Sequence, residues 1–168
     1  MRTVTKVEFP AASGLGGFHD GADFWDAYAA PLTDFALSPT EIFLRALRAT
    51  PRWVGRAMSI RNRIVRRLGL KDVGSMSALD DKPAAAYQIG DRFGIFTVLG
   101  VSQTELLLGI DDSHLDVRVS ILRPSDGPRR YVVSTVVRVH NALGRLYMVP
   151  VGRVHPFVVR AMMRRALV

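Results

Sequence analysis

Four histidines, His19, His114, His140 and His155, and 15 acidic residues are the groups in this 168-residue chain suited to acid–base chemistry. They form no recognisable catalytic constellation. A hydrolytic triad needs serine, histidine and carboxylate converging, yet the GxSxG elbow that presents such a serine is absent and the histidines are scattered. The chain has no cysteine, which excludes disulfides, thiol nucleophiles and Cys-ligated zinc and suits a reducing, cytoplasmic setting. Asp111, Asp112, His114 and Asp116 can be drawn as a metal cluster of oxygen and nitrogen donors. Alternation sends His114 and Asp116 to the wet face of a strand, so a charged hairpin turn explains them better, and no metal or cofactor is expected. Gly14, Gly16 and Gly17 lack GxGxxG spacing and a P-loop lysine, and read as a loop rather than a phosphate cradle.

The net charge of +8 comes from 20 Arg and 3 Lys against those 15 acids. Such a balance permits an anionic partner, nucleic acid or an anionic membrane surface. Its densest part is Arg52, Arg56, Arg63, Arg66 and Arg67. The stronger reading is the solvated face of a surface helix, because Trp53 is the one aromatic residue among them and falls on the apolar stripe, as core or cavity wall.

The elements that must position these groups follow from periodicity. Thr3 to Phe9 alternates weakly, as a short edge strand. The run Ala22 to Tyr28 mixes bulky aromatics with acids before Pro31, which suggests a turn of helix leading into an edge strand. Ser38-Pro39-Thr40-Glu41 combines an N-cap, Pro at the first helical position and Glu three residues on, a capping box that starts a helix. Thr50-Pro51 restarts it, so a helix pair covers 39–68, its second member carrying Trp53, Ala57, Ile60, Ile64 and Leu68 at steps of three and four and closing at Gly69. Residues Lys71 to Asp91 form a long connection with the length of a lid. Four alternating runs, Arg92 to Leu99, Thr104 to Asp111, His114 to Arg123 and Arg130 to Asn141, make an antiparallel meander over 92–141, the last arm central in its sheet. From 156 to 168 an amphipathic helix carries Phe157, Val158, Ala161, Met162 and Leu167 on one stripe, to be laid across the sheet's inner face. The whole fits a single domain, 1–168, with residues 1–20 as an N-terminal extension. Met1 to Pro10 lacks the basic and apolar regions of a secretion signal, and no window approaches the roughly 18 apolar residues of a membrane span, so a soluble, unexported protein is expected.

Three sets of short motifs carry a family resemblance: Ala22-Asp23-Phe24 with Asp26 and Tyr28; Ile60-Arg61-Asn62 with Gly69-Leu70-Lys71; and Val139-His140-Asn141 with Gly144-Arg145 and Tyr147, before His155-Pro156-Phe157. On these the chain resembles the bacterial family catalogued as domain of unknown function 2867. Its order of strand, helix pair, meander and C-terminal helix resembles, more broadly, the α+β helix-grip fold of the START and Bet v 1-like (SRPBCC) superfamily, which includes polyketide cyclases and lipid-transfer domains. That fold wraps a curved antiparallel sheet around the C-terminal helix, with six strands between its helices against the four of the meander.

The resemblance implies a pocket between sheet and C-terminal helix for a small hydrophobic or amphipathic molecule. Residues that would bring a polar tip or aromatic plane to it are Trp53 and Arg61 from the second helix, Tyr131 and Thr135 from the sheet, and Tyr147 and His155 before the last helix. Ordinary core packing is the competing account of each. A cyclase- or isomerase-like enzyme would need only one acid or base there, for which His155 or Tyr131 would serve. An arginine-mediated module for an anionic partner is the third reading.

Overall fold

A computed structural model describes residues 3–67 and 82–166. Every strand pairing in it is antiparallel, and the seven strands join in one curved sheet. Thr5–Lys6 (β1) forms one edge, Phe24–Pro31 (β2) lies next to it, and the order continues through Arg130–Val139 (β7), Leu115–Leu122 (β6), Glu105–Asp111 (β5) and Phe96–Val101 (β4) to Arg92–Phe93 (β3). The meander has five strands rather than the four expected, because the run read as one strand from Arg92 to Leu99 turns back at Gly94, whose φ of 62° suits a residue without a side chain, to pair β3 with β4; β7 is central between β2 and β6, as expected.

Strand β2 corrects the reading of 22–31. Instead of a turn of helix and an edge strand, it is an eight-residue inner strand paired with β7 along its length, from Phe24 opposite Val137 to Pro31 opposite Arg130. Pro31 is tolerated because it closes the ladder beyond the reach of β1, which pairs only with Tyr28 and Ala29, so no sheet bond needs its missing N–H.

Ser38 caps Pro39–Arg48 (α2): its Oγ accepts from Glu41 N at 3.2 Å, and the Glu41 carboxylate accepts from Ser38 N at 2.7 Å. Ile42, Phe43, Leu44 and Leu47 of this helix are buried against Phe93, Phe96, Leu106 and Leu108 from the sheet's inner face. Arg52–Arg67 (α3) follows. The closing Gly69 and most of the long connection expected over 71–91 lie outside the described residues. The outer face is covered by the N-terminal segment, where Gly16–His19 (α1) is gripped by Arg138, whose guanidinium donates to the carbonyls of Gly17, Phe18 and Asp20. Ser13 Oγ and Gly14 N donate to the Glu105 carboxylate at 2.7 and 2.9 Å, so the start of the glycine-rich run is a tethered loop, whereas Gly16 and Gly17, expected in that loop, open α1.

The C-terminal helix, α4, spans Ala142–Ala166 and so starts well before Pro156. Asn141 begins it, its Oδ1 accepting from Gly144 N and its Nδ2 donating to Ser113 O. Pro150 and Pro156 break the expected periodicity without ending the helix. Each withholds an N–H from the carbonyl four residues back: that of Leu146, which is exposed, and that of Gly152, which has no side chain to add to the crowding. The opposite end docks through Met162 and Met163, both buried.

Candidate functional site

Strand alternation and register define the inner face of the sheet as a set of cross-strand rows. One row runs Ile110, Val117, Val137, Phe24; the next runs Leu108, Val119, Thr135, Asp26. The first row is apolar throughout, and its Ile110, Val117 and Phe24 are only half-buried. The second is fully buried and ends in a carboxylate: Asp26 is 3% exposed. A charge so placed needs a partner, and α4 supplies one. Asp26 Oδ2 lies 2.8 Å from Nδ1 of His155, while Asp26 Oδ1 is buried with no hydrogen-bond partner among the described residues.

Helical spacing explains why His155 reaches the sheet. Tyr147, Val151 and His155 recur every four residues on the face of α4 that also carries Gly144 and Met162. Gly152 lies over the Phe24 ring at a distance where a Cβ would make ordinary contact, and that ring meets the imidazole edge-to-face at 5.8 Å. The ring contact and the carboxylate together orient the imidazole. With Nδ1–H donated to the carboxylate, the lone pair is on Nε2. Among the described residues Nε2 has no hydrogen-bond partner, and the side chain keeps 22% of its surface accessible. The arrangement is that of a histidine oriented by a buried acid, able to accept a proton or hydrogen bond at Nε2.

Arg61 and Tyr147 form a second contact about 12 Å along α4, by the 1.5 Å rise per residue. Arg61 Nε donates to Tyr147 Oη at 3.0 Å, and its guanidinium lies 5.4 Å from the ring centre. Its Nη1 also donates to the Asn62 side-chain Oδ1 at 2.9 Å. Thr135 is buried opposite Asp26.

Two of the expected site residues lie elsewhere. Tyr131 is sealed in the core, its hydroxyl donating to the Met163 carbonyl at 3.3 Å, and burial pushes its phenol far above the ordinary value of 10.0. It closes the far end of α4. Trp53 is 45% exposed, and Ile60 on the same stripe is 62% exposed, with Ala57 half-buried between them, so this part of the stripe expected to be buried faces outward. The buried side is Val54 and, in part, Met58, offset by one position and supported by the Arg61–Tyr147 contact. Sequence reasoning overlooked Asp26 as a site residue. Its signal was a lone acid in an alternating run between Phe24 and Tyr28, on the dry face of a strand. Tyr28 shares that face; burial raises its hydroxyl pKa, the Asp26 charge adds to this, and Arg160 opposes it. Among the described residues no cluster of three acidic, histidine or cysteine side chains forms a metal site. The Asp111 carboxylate pairs with Arg118 at 2.6 Å and Asp116 with His140 at 3.0 Å.

The fold thus brings together the three scattered motifs: Asp26 of the first with His155 of the third, and Arg61 of the second with Tyr147 of the third. A family model described as "Protein of unknown function (DUF2867)" matches residues 18–162, which include all of these residues. The chain belongs to that family. No curated protein and no solved structure matches it. What can be said of this DUF2867 member is therefore drawn from its own geometry, an α+β sheet with a C-terminal helix consistent with a helix grip. Among the described residues no helix is long and apolar enough to cross a membrane.

Proposed function

We propose that this domain binds a small hydrophobic or amphipathic molecule between the inner face of the sheet and α4, its apolar body on the Ile110–Val117–Phe24 row and its polar end at Nε2 of His155. The observation that carries the reading is the Asp26–His155 pair. A half-satisfied carboxylate in a dry core is costly, and an apolar pair in its place would hold sheet and helix together as well. Its retention is accounted for if the imidazole it orients has work to do. Flanking apolar groups that are only half-buried, together with one directed polar atom, are the composition of small-molecule sites. A hydroxyl, phenol or enol end matches the lone pair at Nε2, and a carboxylate end would match the protonated ring. The test is a chemical-shift titration of the His155 imidazole against a panel of amphipathic hydroxylated and carboxylated compounds. A saturable perturbation at His155 that is lost in Asp26→Leu supports the reading, and a ring that no compound perturbs removes it.

The same pair favours a second reading, a cyclase- or isomerase-like enzyme. In it, Nε2 removes a proton from a C–H beside a carbonyl, the electron pair moves into the enolate, and the proton held on the imidazolium beside Asp26 returns to a different atom of the same molecule. No oxidant or co-reactant is needed. Solvent deuterium entering a bound ketone in wild type but not in His155→Gln would distinguish this from binding alone.

A further inference from the structure

We propose that the outer faces of α3 and α4 dock this protein on an anionic lipid surface. The inference is independent of the ligand reading, since it uses the faces of the two helices turned away from the sheet.

The apolar residues on those faces are in water. On α4, Leu146, Val149, Val154 and Phe157 are 65%, 53%, 47% and 63% exposed; at 3.6 residues per turn they share one side of the helix, opposite His155. On α3, Trp53 and Ile60 are 45% and 62% exposed and likewise share a side. Singly, such residues are ordinary; two helices each presenting an apolar stripe are not. Arg56 and Arg63 border the α3 stripe, while Arg153 and Arg164 fall within the α4 stripe, all four exposed. Between them α3 and α4 contain 11 arginines and not one Asp or Glu. The two helices are tied to each other by the Arg61–Tyr147 hydrogen bond.

Charge selects the occupant. A second copy of this chain would bring arginine against arginine with no carboxylate from either helix to offset it. A nucleic acid would satisfy the arginines but leave Leu146, Val149, Val154 and Ile60 facing phosphates, and Trp53 and Phe157 are the only aromatic rings on these stripes to stack on bases. An anionic bilayer meets both demands. The apolar side chains and Trp53 enter the boundary between headgroups and acyl chains, while the guanidinium groups stay at headgroup level.

The test is co-sedimentation of the full chain with phosphatidylcholine vesicles, with and without phosphatidylglycerol, across a salt series. Wild type should pellet with the anionic vesicles and remain in solution with the neutral ones, and high salt should release it. Phe157→Ser should weaken binding roughly tenfold, as loss of one buried aromatic implies, and Arg153→Gln roughly fivefold. Both positions are exposed, so the variants should keep the wild-type circular dichroism spectrum. In a Trp25→Phe background, Trp53 emission should shift to the blue on anionic vesicles. No pelleting, equal pelleting with neutral vesicles, retention by an oligonucleotide instead, or a Phe157→Ser-sensitive dimer in light scattering would each overturn the proposal.

Discussion

His155 holds its Nδ1 at 2.8 Å from Oδ2 of Asp26, and the other carboxylate oxygen is buried without a partner among the described residues. One well-made bond and one unmade bond on the same buried group is an expensive way to join a helix to a sheet. It sets the stability behaviour of the pair apart from that of a packing contact.

Removing His155 alone should destabilise the fold by about 3 kcal/mol, because Asp26 is left buried with no partner at all. Replacing both members, Asp26→Val with His155→Leu, should restore stability to within about 1 kcal/mol of wild type. Denaturant unfolding of the single and double variants checks this. A double variant as unstable as the single would mean that the pair is structural cement.

Tyr131→Phe should cost about 1 kcal/mol through the Met163 carbonyl that loses its donor, and should leave ligand binding unchanged. Burial raises the Tyr131 phenol pKa in the folded protein. The stability this represents is complete below the unfolded value of about 10 and is lost as pH rises beyond it. Wild type should therefore lose more stability than Tyr131→Phe on going to strongly alkaline pH, as thermal melts would read.

At Glu41 the sign is opposite. Hydrogen bonds from the Ser38 backbone N–H and then the Ser38 hydroxyl hold its carboxyl below the ordinary 4.5. That contribution is complete above 4.5 and disappears as pH falls through the lowered folded value. Ser38→Ala should cost about 1 kcal/mol at neutral pH, and the gap between Glu41→Ala and wild type should close in acid. Melts of both variants across pH test it.

Much of this was legible in the residues. The capping box at Ser38 and Glu41 is a local signal and formed as written, and the alternation from Arg92 to Asn141 can be satisfied only by strands. Strand β2 was harder. An aromatic and acidic run ending in Pro31 is as compatible with a turn as with an inner strand, and only the partner β7, about a hundred residues away, decides it. Helix α4 was begun too late, at Pro156, because Gly144 and Pro150 are breakers by local rule; the helix runs through both, Gly144 packing its bare Cα on the His114 carbonyl and Pro150 leaving only the Leu146 carbonyl unmet.

Of the residues named from their types, Thr135 on β7 and His155 on α4 both lie at Asp26, and Arg61 on α3 meets Tyr147 on α4. Trp53 was expected in the core or a cavity wall and is exposed, because periodicity identifies a stripe without saying which way it faces, and in α3 the side that packs is Val54 and Met58. Asp26 could not be found locally, because a buried acid looks like any strand acid until its histidine is opposite.

Gly144 makes a sharper packing test. A Cβ there would fall well inside contact distance of the His114 carbonyl oxygen, a backbone atom held by His140 N at 2.9 Å and so unable to yield cheaply. Gly144→Ala should cost about 3 kcal/mol, read as a lowered unfolding midpoint, whereas Gly55→Ala on α3, with nothing near its Cβ position, should be neutral or slightly stabilising.

The most direct measurement is native mass spectrometry of freshly purified wild type and of the Asp26→Val, His155→Leu double variant, followed by organic extraction and addition of the panel of amphipathic compounds. Wild type should carry, or take up, one small molecule per chain, and the folded double variant should carry none. If wild type is bare and takes up no compound, or if the double variant binds as well as wild type, Asp26 and His155 do not anchor a ligand and the account fails.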